Sequence, residues 1–198
     1  MTDRTRKILV YLGDAASQAT AAQLGELVNL GWMVNFISAH RPMPGTALHP
    51  GIKYRHLPVS ADYPLTYAAF LFAAPLILSL KPDIVHACGL SSYGIMAAVH
   101  RRFLRFKPMV LTVSGPDILK DARQGMTRWS AEHALKMFEA VVTAEDDEIL
   151  AELDRMAISK DRLMILNADN AKTTKTAAEQ LVGIYTRLLS GDGQPENF

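Results

Sequence analysis

Apolar residues in this chain fall into short, nearly continuous runs, separated by longer stretches where they recur every three or four positions. The runs occupy residues 7–12, 33–37, 84–87, 109–113, 140–143 and 163–166, and most are rich in Val, Ile and Leu. Such runs predict strands buried on both faces, as in a parallel sheet. Residues 52–57 alternate apolar and basic side chains, which suits a strand nearer the sheet edge. Between the runs the period changes to that of a helix. Residues 17–29 place Thr20, Ala21, Leu24, Leu27 and Val28 on one face, with Ser17 as a candidate N-cap and Gly31 as a stop. Residues 92–103 (Ile95, Met96, Val99, Phe103), 127–138 (Trp129, His133, Leu135, Met137) and 173–189 (Ala177, Leu181, Ile184, Tyr185, Leu188) read the same way. Residues 146–156 carry acids in their first turn, as a helix dipole prefers. Residues 40–50 hold three prolines and one glycine and read as a loop.

Strand and helix therefore alternate along the chain. This predicts an α/β fold: a single Rossmann-like, doubly wound, mainly parallel sheet of about seven strands with helices on both faces. At 198 residues, one domain is the natural unit. The stretch 63–80 is uncharged over about 18 residues, near the lower limit for a membrane span. Pro64, Thr66, Pro75 and Ser79 interrupt it, and Asp62 and Lys81 bound it. A buried or surface-docked helix, bent or broken at Pro75, fits better than a span.

Charge and cysteine content narrow the function classes. The formal net charge is +1, so no strong field draws nucleic acid or acidic lipid. The single Cys88 forms no internal disulfide, and no signal peptide opens the sequence, so a cytoplasmic location is expected. No Gly-x-Gly-x-x-Gly fingerprint or phosphate-binding Lys loop is present. A metal site is not expected, since His86 and Cys88 are the only neighbouring soft ligands.

Two strand ends carry the candidate chemistry. Lys81-Pro-Asp-Ile-Val-His-Ala-Cys-Gly89 and Val110-Leu-Thr-Val-Ser-Gly-Pro-Asp117 each run from apolar residues into small and polar ones. Open α/β sheets bind ligands at that edge. These segments resemble the N-terminal half of GT-B glycosyltransferases of the family-four group. Arg6-Lys-Ile-Leu-Val-Tyr-Leu-Gly13, Ala140-Val-Val-Thr-Ala144 and Arg162-Leu-Met-Ile-Leu-Asn167 agree with that family in order, over roughly residues 5–170. The segment from Ala171 to Leu189 resembles the closing helix of full-length members.

The resemblance implies an acceptor-side domain over 1–170, a closing helix over 171–190 packed on it, and a mobile tail over 191–198. The family's donor-binding domain, with its Glu-x(7)-Glu signature, has no counterpart, and the chain passes from Asn167 to Ala171 where that domain would stand. The implied function is the acceptor-binding half of a sugar-transferring enzyme, inactive alone. A nucleotide sugar would act as donor only with a partner domain. Implied partners are a donor-binding subunit or a second copy across the C-terminal sheet edge, and a sugar or glycolipid acceptor. Nucleic acid is not expected. A weak peripheral membrane contact stays open through 63–80 or through the basic cluster Arg101, Arg102, Arg105 and Lys107.

The substrate-binding candidates are Gly13, Asp14, His86, Gly89, Ser114, Gly115 and Asp117. Each has a structural reading beside the functional one. His86 hydrogen-bonds an acceptor group or is a satisfied strand-end histidine. Asp117 and Asp14 contact acceptor hydroxyls or cap the helices that follow them. Ser114 and Gly115 shape a tight turn. Where many family members have a Gly-Gly pair, this chain has Gly13-Asp14, and Asp14 repels phosphate. Ser114 stands where the family usually has His. These departures favour the alternative of a non-catalytic binding or scaffold protein that kept the fold. A small independent nucleotide-binding protein is a third reading, which no phosphate-binding motif supports.

Overall fold

The structure, a computed structural model, describes residues 6–14, 18–58, 66–105, 108–115, 118, 128–166 and 174–191. Its sheet has seven strands: β1 (Ile8–Leu12), β2 (Met33–Ser38), β3 (Lys53–His56), β4 (Ile84–Cys88), β5 (Met109–Thr112), β6 (Ala140–Ala144) and β7 (Leu163–Leu166). The order across the sheet is β3-β2-β1-β4-β5-β6-β7, and every neighbouring pair is parallel. The α/β expectation holds, and the sheet is wholly rather than mainly parallel. The apolar runs supply its interior, with Leu9, Val10, Leu12, Ile84, Val110 and Val141 all without exposure.

Among the described residues six α-helices cover the sheet: α1 (Gln18–Asn29), α2 (Thr66–Leu80), α3 (Ile95–Leu104), α4 (Arg128–Leu135), α5 (Asp147–Arg155) and α6 (Thr174–Ser190). From β1 the chain winds outward to β3, then returns to β4 and winds the other way to β7. Right-handed crossovers therefore put the helices of the two halves on opposite faces. Ala73 and Ile77 of α2, Met96 of α3, Leu135 of α4 and Leu153 of α5 share one core with Val10, Val85 and Leu111. Leu24 and Leu27 of α1, and Ala178, Leu181 and Tyr185 of α6, share the other core with Leu9, Tyr11 and Val110. Alternation along each strand sends neighbouring residues to different cores.

Element boundaries have local causes. Gly31 (φ 93°) ends α1 in the left-handed region, the role read from its sequence position. The Asp146 carboxylate accepts from the amides of Glu148 and Ile149 and caps α5. Pro75 does not interrupt α2. It lies on the exposed side, where water can satisfy the Leu71 carbonyl that loses its donor. The helix expected from residue 92 begins earlier, as a π turn over Leu90–Gly94 that buries Leu90 and Tyr93 before α3 proper. The candidate cap Ser17, the 169–171 junction and the tail from 192 lie outside the described residues.

Candidate functional site

All seven strands end on the same edge, and β1 and β4 lie side by side at its centre. The chain leaves β1 toward α1 on one face and leaves β4 toward α3 on the other. Loops that diverge in this way open a crevice at the carboxyl ends of the strands. The structure sets Gly13 and Asp14 after β1, Gly89 after β4, and Ser114 and Gly115 after β5. Of the sequence-derived candidates, five are thereby gathered at this edge, and His86 sits within β4 just before it. Asp117 lies outside the described residues.

Two of the glycines here answer to a local constraint, one of space and one of backbone conformation. A Cβ on Gly13 would stand 2.7 Å from Tyr11 Cε1 and 3.3 Å from Cys88 Cβ, so the loop rests on both side chains. Gly89 has φ 90°, a conformation that turns the chain out of β4 directly into the π turn. The Gly89 amide donates to the Thr112 carbonyl at 3.0 Å, and its own carbonyl accepts from the Gly94 amide at 2.7 Å. The loops after β4 and β5 are thus held in register. The Ile118 amide donates to the Ser114 carbonyl at 3.2 Å.

His86 is 1% exposed, and neither ring nitrogen is free. Nδ1 lies 2.5 Å from the Tyr185 hydroxyl and Nε2 lies 2.7 Å from Thr112 Oγ1. A neutral imidazole donates from one nitrogen and accepts at the other, and two hydroxyls match either tautomer. Burial drives the His86 pKa down to about 3. Burial also raises those of Tyr11 and Tyr185, so all three stay uncharged at neutral pH. Tyr11 hydrogen-bonds the half-buried Cys88 and packs edge-on against His86, with ring centroids 5.0 Å apart. In this arrangement His86 lies beneath the crevice, tying the last helix to the sheet, rather than lining it. Both partners are side-chain hydroxyls, where the structural reading of this histidine supposed the backbone.

The polar rim on the β1–β2 side includes residues that sequence reasoning did not single out. Asp14 Oδ1 lies 3.6 Å from His40 Nδ1, and both side chains are about half exposed. The Tyr54 hydroxyl donates to the His40 carbonyl at 2.5 Å. The buried Tyr93 hydroxyl accepts from the Ala39 amide at 2.9 Å and meets Ser38 Oγ at 3.3 Å. Tyr93 thus bridges the loop after β4 to the end of β2 and closes the floor of the crevice. The available signal was the polar end of the β2 run, Ser38-Ala-His40, which has the same apolar-to-polar form as the two strand ends that were used. Exposed carboxylate, imidazole and serine groups over glycine backbone can hydrogen-bond hydroxyls. Among the described residues no group of three or more His, Cys, Asp or Glu is placed to hold a metal ion.

A parallel sheet in this order, with a polar crevice at the β1–β4 divide, defines a Rossmann-type, doubly wound α/β protein. Its family follows from sequence as well. Residues 7–144, from β1 through β6, match the glycosyl transferase 4-like family model, and the chain belongs to that family. No curated protein matches it in sequence.

Among solved structures the chain is similar to the UDP-GlcNAc 2-epimerase of Neisseria meningitidis bound to UDP-GlcNAc. The TM-score is 0.60 at 14% identity over 91% of this chain and 50% of that one. It is also similar to the UDP-GlcNAc 2-epimerase of Methanocaldococcus jannaschii, with a TM-score of 0.55 at 12% identity over 80% of this chain and 45% of that one. At these identities the likeness is one of fold, and the chain spans about half the length of each.

Proposed function

We propose that this glycosyltransferase-like domain is the acceptor-binding half of a sugar-transferring GT-B enzyme, without turnover on its own and completed by a donor-binding partner. The observation that carries this reading is the crevice itself. It opens at the β1–β4 divide, is rimmed by hydroxyl-binding groups (Asp14, His40, Ser114), and offers no cation in the Gly13-to-Ser17 loop to neutralise a diphosphate. A leaving nucleoside diphosphate needs positive or amide donors, and in this reading a second domain supplies them. Only residues 167–173 separate β7 from α6, too few to form such a domain. In the same reading, 1–170 is the acceptor-side domain and α6 its closing helix. The donor-binding subunit, or a second copy, meets the C-terminal sheet edge. Nucleotide sugars are the donor class to test first, since the Neisseria neighbour is described as bound to UDP-GlcNAc.

The purified chain, given UDP- and GDP-sugars with a panel of sugar acceptors, should release no nucleoside diphosphate above background. It should bind an acceptor sugar, and Asp14→Ala with Ser114→Ala should weaken that binding about tenfold or more, as for lost hydrogen bonds to a polar ligand. Turnover by the chain alone, abolished by Asp14→Asn, would overturn the half-enzyme reading. A second reading, a non-catalytic binding protein that kept the fold, is favoured by one observation: both nitrogens of His86 are occupied inside the core. Absence of sugar binding would leave that reading standing.

A further inference from the structure

The outer side of α2 is unusual for a helix on a protein surface. Leu71, Phe72, Pro75, Leu78 and Ser79 are its exposed positions among residues 71–80, and none is charged. Leu71 is 68% exposed, Phe72 50% and Leu78 48%. The inward side, Ala73, Ala74 and Ile77, is already buried on the sheet. The stripe is therefore additional to what the core requires. Its one hydroxyl, Ser79 Oγ, spends its proton on the Leu76 carbonyl at 2.7 Å.

Helix α3 packs beside α2 and extends the surface. Phe103, near its end, is 70% exposed between exposed Arg102 and half-buried Leu104. Both helices run against the strands and finish at the same edge of the sheet, opposite the crevice. Each is followed there by an exposed basic residue in the left-handed conformation, Lys81 (φ 49°) and Arg105 (φ 54°).

Charge on this surface is one-sided. Between residues 66 and 105 the ionisable groups of fixed sign are Lys81, Arg101, Arg102, Arg105 and Asp83. The Asp83 carboxylate accepts the Ile8 amide at 2.7 Å, and Arg101 pairs with Glu139. Lys81, Arg102 and Arg105 thus stand beside exposed leucine and phenylalanine, and among the described residues no carboxylate pairs with them. The helix dipole accounts for arginine at the end of α3. It does not account for the exposure of Phe103, nor for the uncharged stripe on α2.

We propose that the outer surface of α2 and the end of α3 dock on an anionic lipid surface. Phe72, Leu78 and Phe103 enter the boundary between headgroups and acyl chains, and Lys81, Arg102 and Arg105 engage lipid phosphates. Apolar insertion combined with basic residues is the chemistry of peripheral membrane binding. A protein partner would need complementary acids as well as apolar groups, whereas an anionic bilayer presents both along its whole surface. No helix among the described residues is long and apolar enough to cross a membrane, so the contact is one of surface docking. The proposal does not rest on the sugar-transfer reading, because the crevice lies at the other edge of the sheet and stays open.

The test is co-flotation of the full chain with phosphatidylcholine vesicles, with and without phosphatidylglycerol, at low and high salt. The chain should float with the anionic vesicles, be released by salt, and stay behind with the neutral ones. Leu78→Ser with Phe103→Ser, and separately Arg102→Gln with Arg105→Asn, should each weaken partitioning about tenfold or more while the melting temperature holds, since all four side chains are solvent-facing or at a helix end. Failure to float with either vesicle overturns the proposal. So does equal flotation on neutral vesicles, or a dimer that Leu78→Ser with Phe103→Ser returns to monomer, which would make a second copy the occupant.

Discussion

At the scale of single residues the decisive group is His86, because its two hydrogen bonds join strands β4 and β5 to helix α6. Its pKa is about 3 in the fold against about 6.5 unfolded. The folded state therefore binds fewer protons than the unfolded state at any pH between these values. Stability from this group is complete above pH 6.5 and is lost as pH falls toward 3, by about 1.4 kcal/mol per pH unit. The denaturation free energy of His86→Gln should fall less steeply over that window, and identical slopes for the two proteins would refute the assignment. Tyr185→Phe leaves a buried ring nitrogen unpartnered and should lower stability by about 1–3 kcal/mol, read from the denaturant midpoint. The sequence marks His86 as the polar end of an apolar strand. It gives no sign of Tyr185 as the partner, 99 residues away, since no local pattern reports which helix returns to which strand.

At the scale of elements, the strands were legible nearly to the residue because a strand buried on both faces has no polar positions to blur its ends. Helix starts were less so. Nothing in the period of 92–103 distinguishes an α start from the π turn over Leu90–Gly94, which arises from backbone closeness. A Cβ at Gly94 would sit 2.8 Å from the Gly89 carbonyl. Pro75 suggested a bend or break that α2 does not take, because the tertiary setting leaves that position in water. Helix α6 was legible as amphipathic. Its inward face holds Ala178, Leu181 and Tyr185, with Tyr185 edge-on to Trp32 at 5.1 Å between centroids. Leu181→Ala should therefore cost about 2–5 kcal/mol, the range for a leucine truncated in a closed core. A loss well under 1 kcal/mol in thermal or chemical denaturation would mean that α6 rests on the sheet without packing into it.

At the scale of the molecule, repeated β–α alternation predicts a parallel sheet but not the strand order. The polar strand ends marked the ligand edge, whereas the β1–β4 divide on that edge follows from the strand order, which no local pattern reports. The rim residues His40, Tyr54 and Tyr93 escaped notice because three separate segments bring them together. The two sheet edges also differ in a way that composition alone conceals: β3 exposes Lys53, Arg55 and His56, while β7 is Leu-Met-Ile-Leu with Ile165 43% exposed. Charged edges resist pairing with other chains and apolar ones do not.

Helix α6 has one more consequence, which concerns time. It covers the side of the sheet built from Leu9, Tyr11 and Val110, residues that precede it in the chain. During synthesis those side chains emerge before α6, and until it docks α1 is the other described helix on that side of the sheet. A chain ending at residue 173 should accordingly bind a hydrophobic dye and aggregate, and a separately supplied 174–191 peptide should reverse both. If the shortened chain stays dye-free and soluble, the nascent sheet protects itself. If it does not, this protein depends in the cell on whatever shelters the sheet until α6 docks.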